Sequence, residues 1–133
     1  MAARFKDLVM DAVDHQALAD WWCAALGYER REPPAGHSAT PREWPVPIYD
    51  PAGCGPLIWV NPVAEPKTVK NRIHLDVFGS TDELLALGAT VMRLRDDSIA
   101  WDVLADPEGN EFCVFTPKPS SVRHWPTASD PGR

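Results

Sequence analysis

The sequence predicts an α+β fold built from two similar halves, each with a strand, a helix and then further strands. The first half, about residues 5–63, shows this order and closes its helix at Leu26-Gly27. The second half, about residues 71–117, repeats the order and closes a shorter helix at Leu87-Gly88. A repeat of roughly 65 residues is longer than a solenoid unit of about 20–50 residues and is typical of two fused modules.

Length and composition predict one domain over residues 1–117 and a loose tail over residues 118–133. The chain has 133 residues, 44% of them hydrophobic, which suits one ordinary core. The tail is rich in proline and small polar residues. The formal net charge is −6 and no basic stripe is present, so we expect no nucleic-acid partner. No apolar run approaches the roughly 18 residues of a membrane helix, so we expect no membrane partner.

The start of the chain and its cysteines predict a cytoplasmic protein. The first ten residues carry Arg4, Lys6 and Asp7 and lack the apolar segment of a signal peptide. The three cysteines are odd in number and widely spaced, which fits neither a disulfide framework nor a CxxC zinc site.

The elements of the first module follow from periodicity and capping. Apolar and polar residues alternate over residues 5–13, as in a strand. Asp14 is placed to cap a helix over residues 15–26, and Gly27 is placed to end it. The long proline- and glycine-rich stretch 33–47 is typical of a binding loop or lid. Three further strands are predicted at residues 28–32, 46–49 and 57–61.

The second module follows the same plan. Ser80 and Glu83 form a capping-box pattern at the start of a short helix that Gly88 ends. The run from Asp106 to Asn110 (DPEGN) predicts a tight turn. Four strands are predicted, at residues 73–78, 90–94, 101–105 and 111–115.

Several of these segments together resemble the vicinal oxygen chelate superfamily of glyoxalases, bleomycin-resistance proteins and dioxygenases. They are Trp21-Trp22, Leu26-Gly27-Tyr28, the DPEGN turn and the stretch KNRIHLD over residues 70–76, which is similar to the superfamily's glyoxalase-like branch. The resemblance covers roughly residues 5–117. It implies two βαβββ modules whose mixed sheet curves around a central pocket, with the helices on the convex face.

The resemblance also assigns the strand residues to two faces. Those expected to pack under the helices are Leu8, Met10, Ile73, Leu75, Val77, Phe112 and Val114. Those expected to face the pocket are Asp7, Val9, Asp11, Trp59, Asn61, His74, Asp76, Glu111, Cys113 and Phe115.

Enzymes of this superfamily usually hold a divalent metal with four ligands, from the first and last strand of each module. The matching positions are Asp7, the strand at residues 57–61, His74 and Cys113. That strand offers no acid or histidine, and Cys113 stands where glutamate is usual, so we predict no metal or other cofactor. The alternative is an altered site of Asp7, His74 and Cys113 that binds Zn, Fe, Ni or Mn.

The candidate catalytic residues are His74, Asp76 and Glu111. His74 and Asp76 lie two residues apart on one strand face, so an acid could tune the histidine for proton transfer. The alternative is an internal hydrogen-bond network that satisfies buried polar groups. The candidate ligand-binding residues are Asp7, Asp11, Trp59, Trp101, Cys113 and Phe115.

Each candidate has a structural alternative. The acids could pair with Arg4, Lys70 or Arg72, and Cys113 could be an inert buried thiol. The basic cluster of Lys67, Lys70 and Arg72 could bind an anion, but ion pairing across the module junction is the preferred interpretation.

Three functions are therefore left open, and the sequence does not decide whether the protein is an enzyme. The preferred one is metal-free binding of a hydrophobic or aromatic small molecule. The second is a metal-dependent lyase, isomerase or dioxygenase that acts on vicinal oxygens with an altered ligand set. The third is a metal-free acid/base enzyme that uses His74. A homodimer is expected in each case, with modules paired within one chain or exchanged between chains.

Overall fold

The computed structural model describes residues 1–117 and contains two helices and eight strands in the predicted order. The first module comprises β1 (Leu8–Ala12), α1 (His15–Leu26), β2 (Glu29–Arg30), β3 (Val46–Tyr49) and β4 (Ile58–Pro62). The second comprises β5 (Asp76–Phe78), α2 (Thr81–Ala86), β6 (Thr90–Arg93), β7 (Asp102–Ala105) and β8 (Glu111–Phe115). Both modules thus have the predicted βαβββ order. The tail predicted at 118–133 lies outside the described residues.

Each module forms its own four-stranded mixed sheet, and the two sheets have the same topology. The strand orders are β1-β4-β3-β2 and β5-β8-β7-β6. In both, the first strand pairs in parallel with the last, and the remaining pairs are antiparallel. Within the described residues no ladder joins the sheets, so β1 and β5 are edge strands. The predicted mixed sheet is therefore present as two separate halves.

Helix α1 has the bounds that its caps predict. The Asp14 carboxylate accepts a hydrogen bond from the N–H of Ala17 at 3.1 Å, and Gly27 ends the helix with a φ of 71°. In the second module, Ser80 caps α2 by accepting from the N–H of Glu83 at 3.3 Å. No helix within residues 1–117 is long and apolar enough to span a membrane.

Alternate residues of β1, β4 and β5 separate a more buried face from a more exposed one, whereas β8 is buried on both faces as far as Val114. Ile58 and Val60 on β4 and Phe112 and Val114 on β8 are almost fully buried. The opposite strand faces, which we call the open faces, carry Val9, Trp59 and Asn61 in the first sheet and Asp76, Phe78, Cys113 and Phe115 in the second.

The expectation for Ile73 was wrong, because its side chain is 82% exposed and does not pack under a helix. The predicted strand at residues 73–78 begins only at Asp76. Ile73 therefore lies before the residues that pair with a neighbouring strand. Only those paired residues have side chains that alternate between the two faces of the sheet. The ladder reaches back one residue further, since the carbonyl of Leu75 accepts from the N–H of Cys113 at 2.8 Å.

Side chains at the module junction connect α1 to the second module. The indole N–H of Trp22 donates to the Asp106 carboxylate at 2.9 Å, and that of Trp21 donates to the carbonyl of Leu87 at 2.9 Å. The Glu108 carboxylate accepts the backbone N–H groups that precede α1, from Val13 and Asp14 at 2.8 and 3.1 Å. These bonds hold two modules that share no sheet hydrogen bonds within the described residues.

Candidate functional site

A pocket of about 430 Å³ opens along the junction of the two sheets. One wall is β1, and the opposite wall is the segment 71–75 that leads into β5. The floor is formed by Trp22 and Phe112, and polar groups from Lys67, Asn71 and Glu111 lie at its rim. The volume falls within the roughly 300–1,000 Å³ of small-molecule sites. We call this cavity the seam pocket.

The floor of the seam pocket is aromatic and fixed in place. Trp22 and Phe112 are each 1% exposed, and their rings meet edge to face with centroids 5.1 Å apart. Trp21 packs against both rings, and Asp106 fixes the Trp22 indole by a hydrogen bond. Such a floor offers an apolar surface and ring edges to an aromatic ligand.

The rim contains a buried ion pair. Glu111 is 7% exposed; its Oε1 accepts from Lys67 Nζ at 2.6 Å and its Oε2 from the N–H of Asn71 at 2.9 Å. Burial alone would raise the pKa of Glu111, but the hydrogen bonds from Lys67 and Asn71 outweigh it and lower that pKa. Glu111 is therefore a charged anchor between the connection and β8. Lys67 forms the ion pair expected of the basic cluster, whereas Lys70 and Arg72 form none among residues 1–117.

A second group of polar side chains, from His74, Asp76 and Cys113, lies together on the open face of the second sheet. His74 Nδ1 lies 3.7 Å from Cys113 Sγ and 3.9 Å from Asp76 Oδ1. Asp76 and Cys113 are direct partners in the β5–β8 ladder. Burial, together with the Asp76 carboxylate, raises the pKa of the Cys113 thiol. His74 also lines the seam pocket, so this group adjoins the cavity.

The corresponding positions of the first module hold a different pair. The Trp59 indole N–H donates to Asp7 Oδ2 at 3.0 Å, and Lys6 binds the same oxygen. The hydrogen bond from Lys6 is the largest cause of a lowered pKa of Asp7, and the bond from Trp59 lowers that pKa further. Cations also lie over the Trp59 ring, with Arg31 Cζ 5.3 Å from its centroid.

The residues present do not fit the superfamily's four-ligand metal. Val9 pairs with Trp59 in the first sheet as Asp76 pairs with Cys113 in the second, so Trp59 occupies the position of the missing ligand. An indole N–H is only a donor and offers a metal no lone pair. Among the described residues, the metal-binding donors that converge are His74, Asp76 and Cys113, and Asp7 is not among them.

Only part of the sequence-predicted site lies in the seam pocket. Asp11, His74 and Glu111 line it. Trp101 and Phe115 stack with ring centroids 5.5 Å apart, half-buried and outside the pocket lining. The other candidates, which also lie outside that lining, are Asp7, Trp59, Asp76 and Cys113.

Sequence reasoning did not name the aromatic floor or, at the rim, Lys67 and Asn71 as site residues. The resemblance places Phe112 under the helices, which is correct because Phe112 is buried, but Phe112 and Trp22 also line the pocket. Both rings line the cavity between β1 and β5, although each keeps only 1% of its surface exposed. The one available signal for the rim was the basic cluster, of which Lys67 is used.

Comparison with known proteins identifies the family. A family model described as Glyoxalase-like domain matches residues 7–115. The chain belongs to this family. No curated protein matches the sequence significantly.

Solved structures support the same fold for this glyoxalase-like protein. A glyoxalase/bleomycin resistance protein/dioxygenase family enzyme from Burkholderia phytofirmans PsJN is 19% identical, with a TM-score of 0.60 and coverage of 84% of this chain and 97% of that one. The trypanothione-dependent glyoxalase I of Leishmania major is 14% identical, with a TM-score of 0.56 and coverage of 86% and 87%. The hypothetical protein SA1046 from S. aureus is 13% identical, with a TM-score of 0.58 and coverage of 88% and 100%. At these identities the similarity shows the fold alone.

Proposed function

We propose that this glyoxalase-like protein binds a hydrophobic, aromatic small molecule in the seam pocket, without the four-ligand metal of superfamily enzymes. The observation that carries the proposal is the pocket itself, about 430 Å³ in volume with an aromatic floor of Trp22 and Phe112. A ring placed on this floor would meet edges and faces in the offset arrangements that aromatic pairs prefer.

The rim supports a ligand that is apolar at one end and polar at the other. Lys67 and Glu111 neutralise each other, so the deep part of the rim carries little net charge. Asp11 and His74 line the outer part and are exposed, which leaves them able to bond a hydroxyl or amine of the ligand. Such a combination of apolar surface and few polar groups is typical of small-molecule sites.

A pair of matched variants tests this proposal. Val63 lines the seam pocket, whereas Val69 lies on the same connection, is 78% exposed and does not line it. A panel of aromatic natural products is screened by thermal shift and tryptophan fluorescence. We expect ligands whose affinity falls about tenfold or more in Val63→Trp, because the indole fills the pocket, and is unchanged in Val69→Trp. An absence of any hit, or hits insensitive to Val63→Trp, would contradict the proposal.

A second candidate function is metal-free acid/base catalysis by His74. The observation that favours it is the 3.9 Å separation of His74 Nδ1 and Asp76 Oδ1 beside the pocket. This distance exceeds a hydrogen bond but can close when a substrate is bound. Ligands found in the screen are tested for turnover, with His74→Gln and Asp76→Asn as variants. A rate that does not change across the histidine pH range would reject this candidate.

We propose a cytoplasmic homodimer as the working form. Free Cys23, Cys54 and Cys113 support a reducing compartment. Exposed apolar side chains on the open faces, such as Val9 and Phe78, support a second copy as their cover. Light scattering on the purified chain checks this, and a monomer at all concentrations would contradict it.

A further inference from the structure

Three side chains with metal-binding atoms meet within the second module alone. His74 Nδ1, Asp76 Oδ and Cys113 Sγ all lie within 4.8 Å of one another. From this geometry we propose that His74, Asp76 and Cys113 form a three-ligand site for a thiophilic divalent cation such as Zn²⁺. The site goes beyond the proposed ligand binding and does not depend on it.

The separations of the donor atoms match tetrahedral coordination. Zinc binds histidine nitrogen at about 2.0–2.1 Å, thiolate sulfur at about 2.3 Å and carboxylate oxygen at about 2.0–2.2 Å. At a tetrahedral angle these bond lengths place nitrogen about 3.6 Å from sulfur and about 3.3 Å from oxygen. The structure has 3.7 Å between His74 Nδ1 and Cys113 Sγ, and 3.9 Å between His74 Nδ1 and Asp76 Oδ1. The nitrogen–sulfur distance is close to the tetrahedral value, whereas the nitrogen–oxygen distance is longer, so the exposed Asp76 carboxylate has to move towards His74 when a cation binds.

The backbone holds the three donors together. Asp76 and Cys113 are Cα partners in the parallel β5–β8 ladder, and His74 lies two residues before Asp76. The bond from the Cys113 N–H to the Leu75 carbonyl fixes this register at the beginning of β5. The paired strands preorganise Asp76 and Cys113, whereas His74 lies in the segment that leads into β5.

The donor types select the cation. One thiol, one imidazole and one carboxylate suit zinc and related thiophilic ions, whereas Mg²⁺ and Ca²⁺ prefer oxygen alone. Three protein ligands leave a fourth position for water or a ligand, as in catalytic zinc sites. His74 is 38% and Asp76 62% exposed at the side chain, so this position faces solvent at the edge of the seam pocket.

This site shares the positions of His74 and Cys113 with the four-ligand set of superfamily enzymes, but that set draws on both modules, whereas this site lies within the second module alone. It uses Asp76, a donor outside that set, and neither Asp7 nor Trp59 takes part. The difference makes the two sets separable by mutation.

Cobalt titration of the reduced, tag-free full chain tests the proposal, since thiolate-bound Co²⁺ gives a charge-transfer absorption in the near ultraviolet. We expect one equivalent to bind, with Zn²⁺ displacing it. Cys113→Ser should abolish the charge-transfer band. His74→Ala and Asp76→Asn should weaken binding by at least the roughly 10–100-fold that loss of an outer-shell partner costs.

Two matched controls complete the experiment. Cys54→Ser removes a half-buried thiol outside the site, and Asp7→Asn removes the acid of the first module; both variants should bind cobalt like the original chain. Far-UV circular dichroism verifies that each variant is folded. The proposal is overturned by a chain that binds no stoichiometric cobalt, by a band that survives Cys113→Ser, or by Asp7→Asn weakening binding as much as Asp76→Asn.

Discussion

Removing the Asp106 carboxylate tests whether the DPEGN turn joins the two modules. Asp106 is 3% exposed. Its Oδ1 accepts the N–H groups of Glu108 and Asn110 at 2.9 and 3.0 Å, and its Oδ2 accepts the indole N–H of Trp22 at 2.9 Å. Both oxygens also accept from the side-chain amide of Asn110, at 3.2 and 3.0 Å. Asp106→Ala leaves these four donor groups without their acceptor, and one of them belongs to the first module.

The expected loss of stability follows from the burial of each donor. An unsatisfied buried donor costs about 1–3 kcal/mol, and a hydrogen bond in a partly solvated site contributes about 0.5–1.5 kcal/mol. Trp22 is fully buried, so its indole N–H would be left without an acceptor. Glu108 and Asn110 are half-buried, so water can replace the lost carboxylate as their acceptor. We therefore expect Asp106→Ala to lower the free energy of unfolding by about 3–5 kcal/mol.

Asp50 provides a matched control. Its carboxylate accepts three N–H groups, from Ala52, Cys54 and Gly55 at 2.8, 3.1 and 2.9 Å, and all three are backbone groups of its own turn. Asp50→Ala should cost about 1–2 kcal/mol, because water replaces much of what is lost. Urea denaturation followed by far-UV circular dichroism measures both variants. Equal losses in the two would refute the claim that Asp106 links the modules.

Two further predictions concern close packing and pH. A Cβ on Gly55 would lie 2.1 Å from Tyr28 Oη, so Gly55→Ala should lose about 1–3 kcal/mol in the same denaturation assay, whereas Gly79→Ala, with its nearest contact at 3.8 Å, should lose far less. Equal losses would contradict this. The hydrogen bonds from Arg95, the largest cause, hold the pKa of Asp102 far below the ordinary aspartate value of 3.8. Below about pH 4 the unfolded state therefore binds more protons than the folded state. The free energy of unfolding should decrease as the pH is lowered through this range, and it should decrease less steeply in Asp102→Asn. The slope of unfolding free energy against pH checks this, and identical slopes would contradict it.

The sequence predicted best those elements whose ends are fixed by local chemistry. Asp14 and Gly27 bound α1 through contacts within a few residues, and both positions proved correct. The beginning of β5 was placed too early because apolar alternation at Ile73 continues beyond the residues that find a partner strand. Periodicity reports which face a residue takes, but the extent of a strand depends on its distant neighbour.

Local patterns predicted the candidate site only within residues 74–76, just before and at the beginning of β5, whereas the resemblance brought His74 together with Cys113. Alternation was enough to place His74 beside Asp76. That Cys113 completes the group depends on the β5–β8 register, which no local pattern encodes. Trp22 and Phe112 line the seam pocket because the two sheets are separated by a gap. The sequence pattern of apolar residues would be the same if the two sheets were joined, so it does not predict the gap.

Equivalent strand positions carry different chemistry in the two modules, and this asymmetry connects the proposals. In the first module a carboxylate, Asp7, is satisfied by the Trp59 indole and by Lys6, so its charge is neutralised within the protein. In the second module the Asp76 carboxylate has His74 as its only ion-pair partner within the described residues. A cation at His74, Asp76 and Cys113 would supply there what Lys6 and Trp59 supply in the first module. In the first module, protein groups thus already occupy the carboxylate of Asp7. In the second module, His74, Asp76 and Cys113 remain able to bind a cation beside the seam pocket.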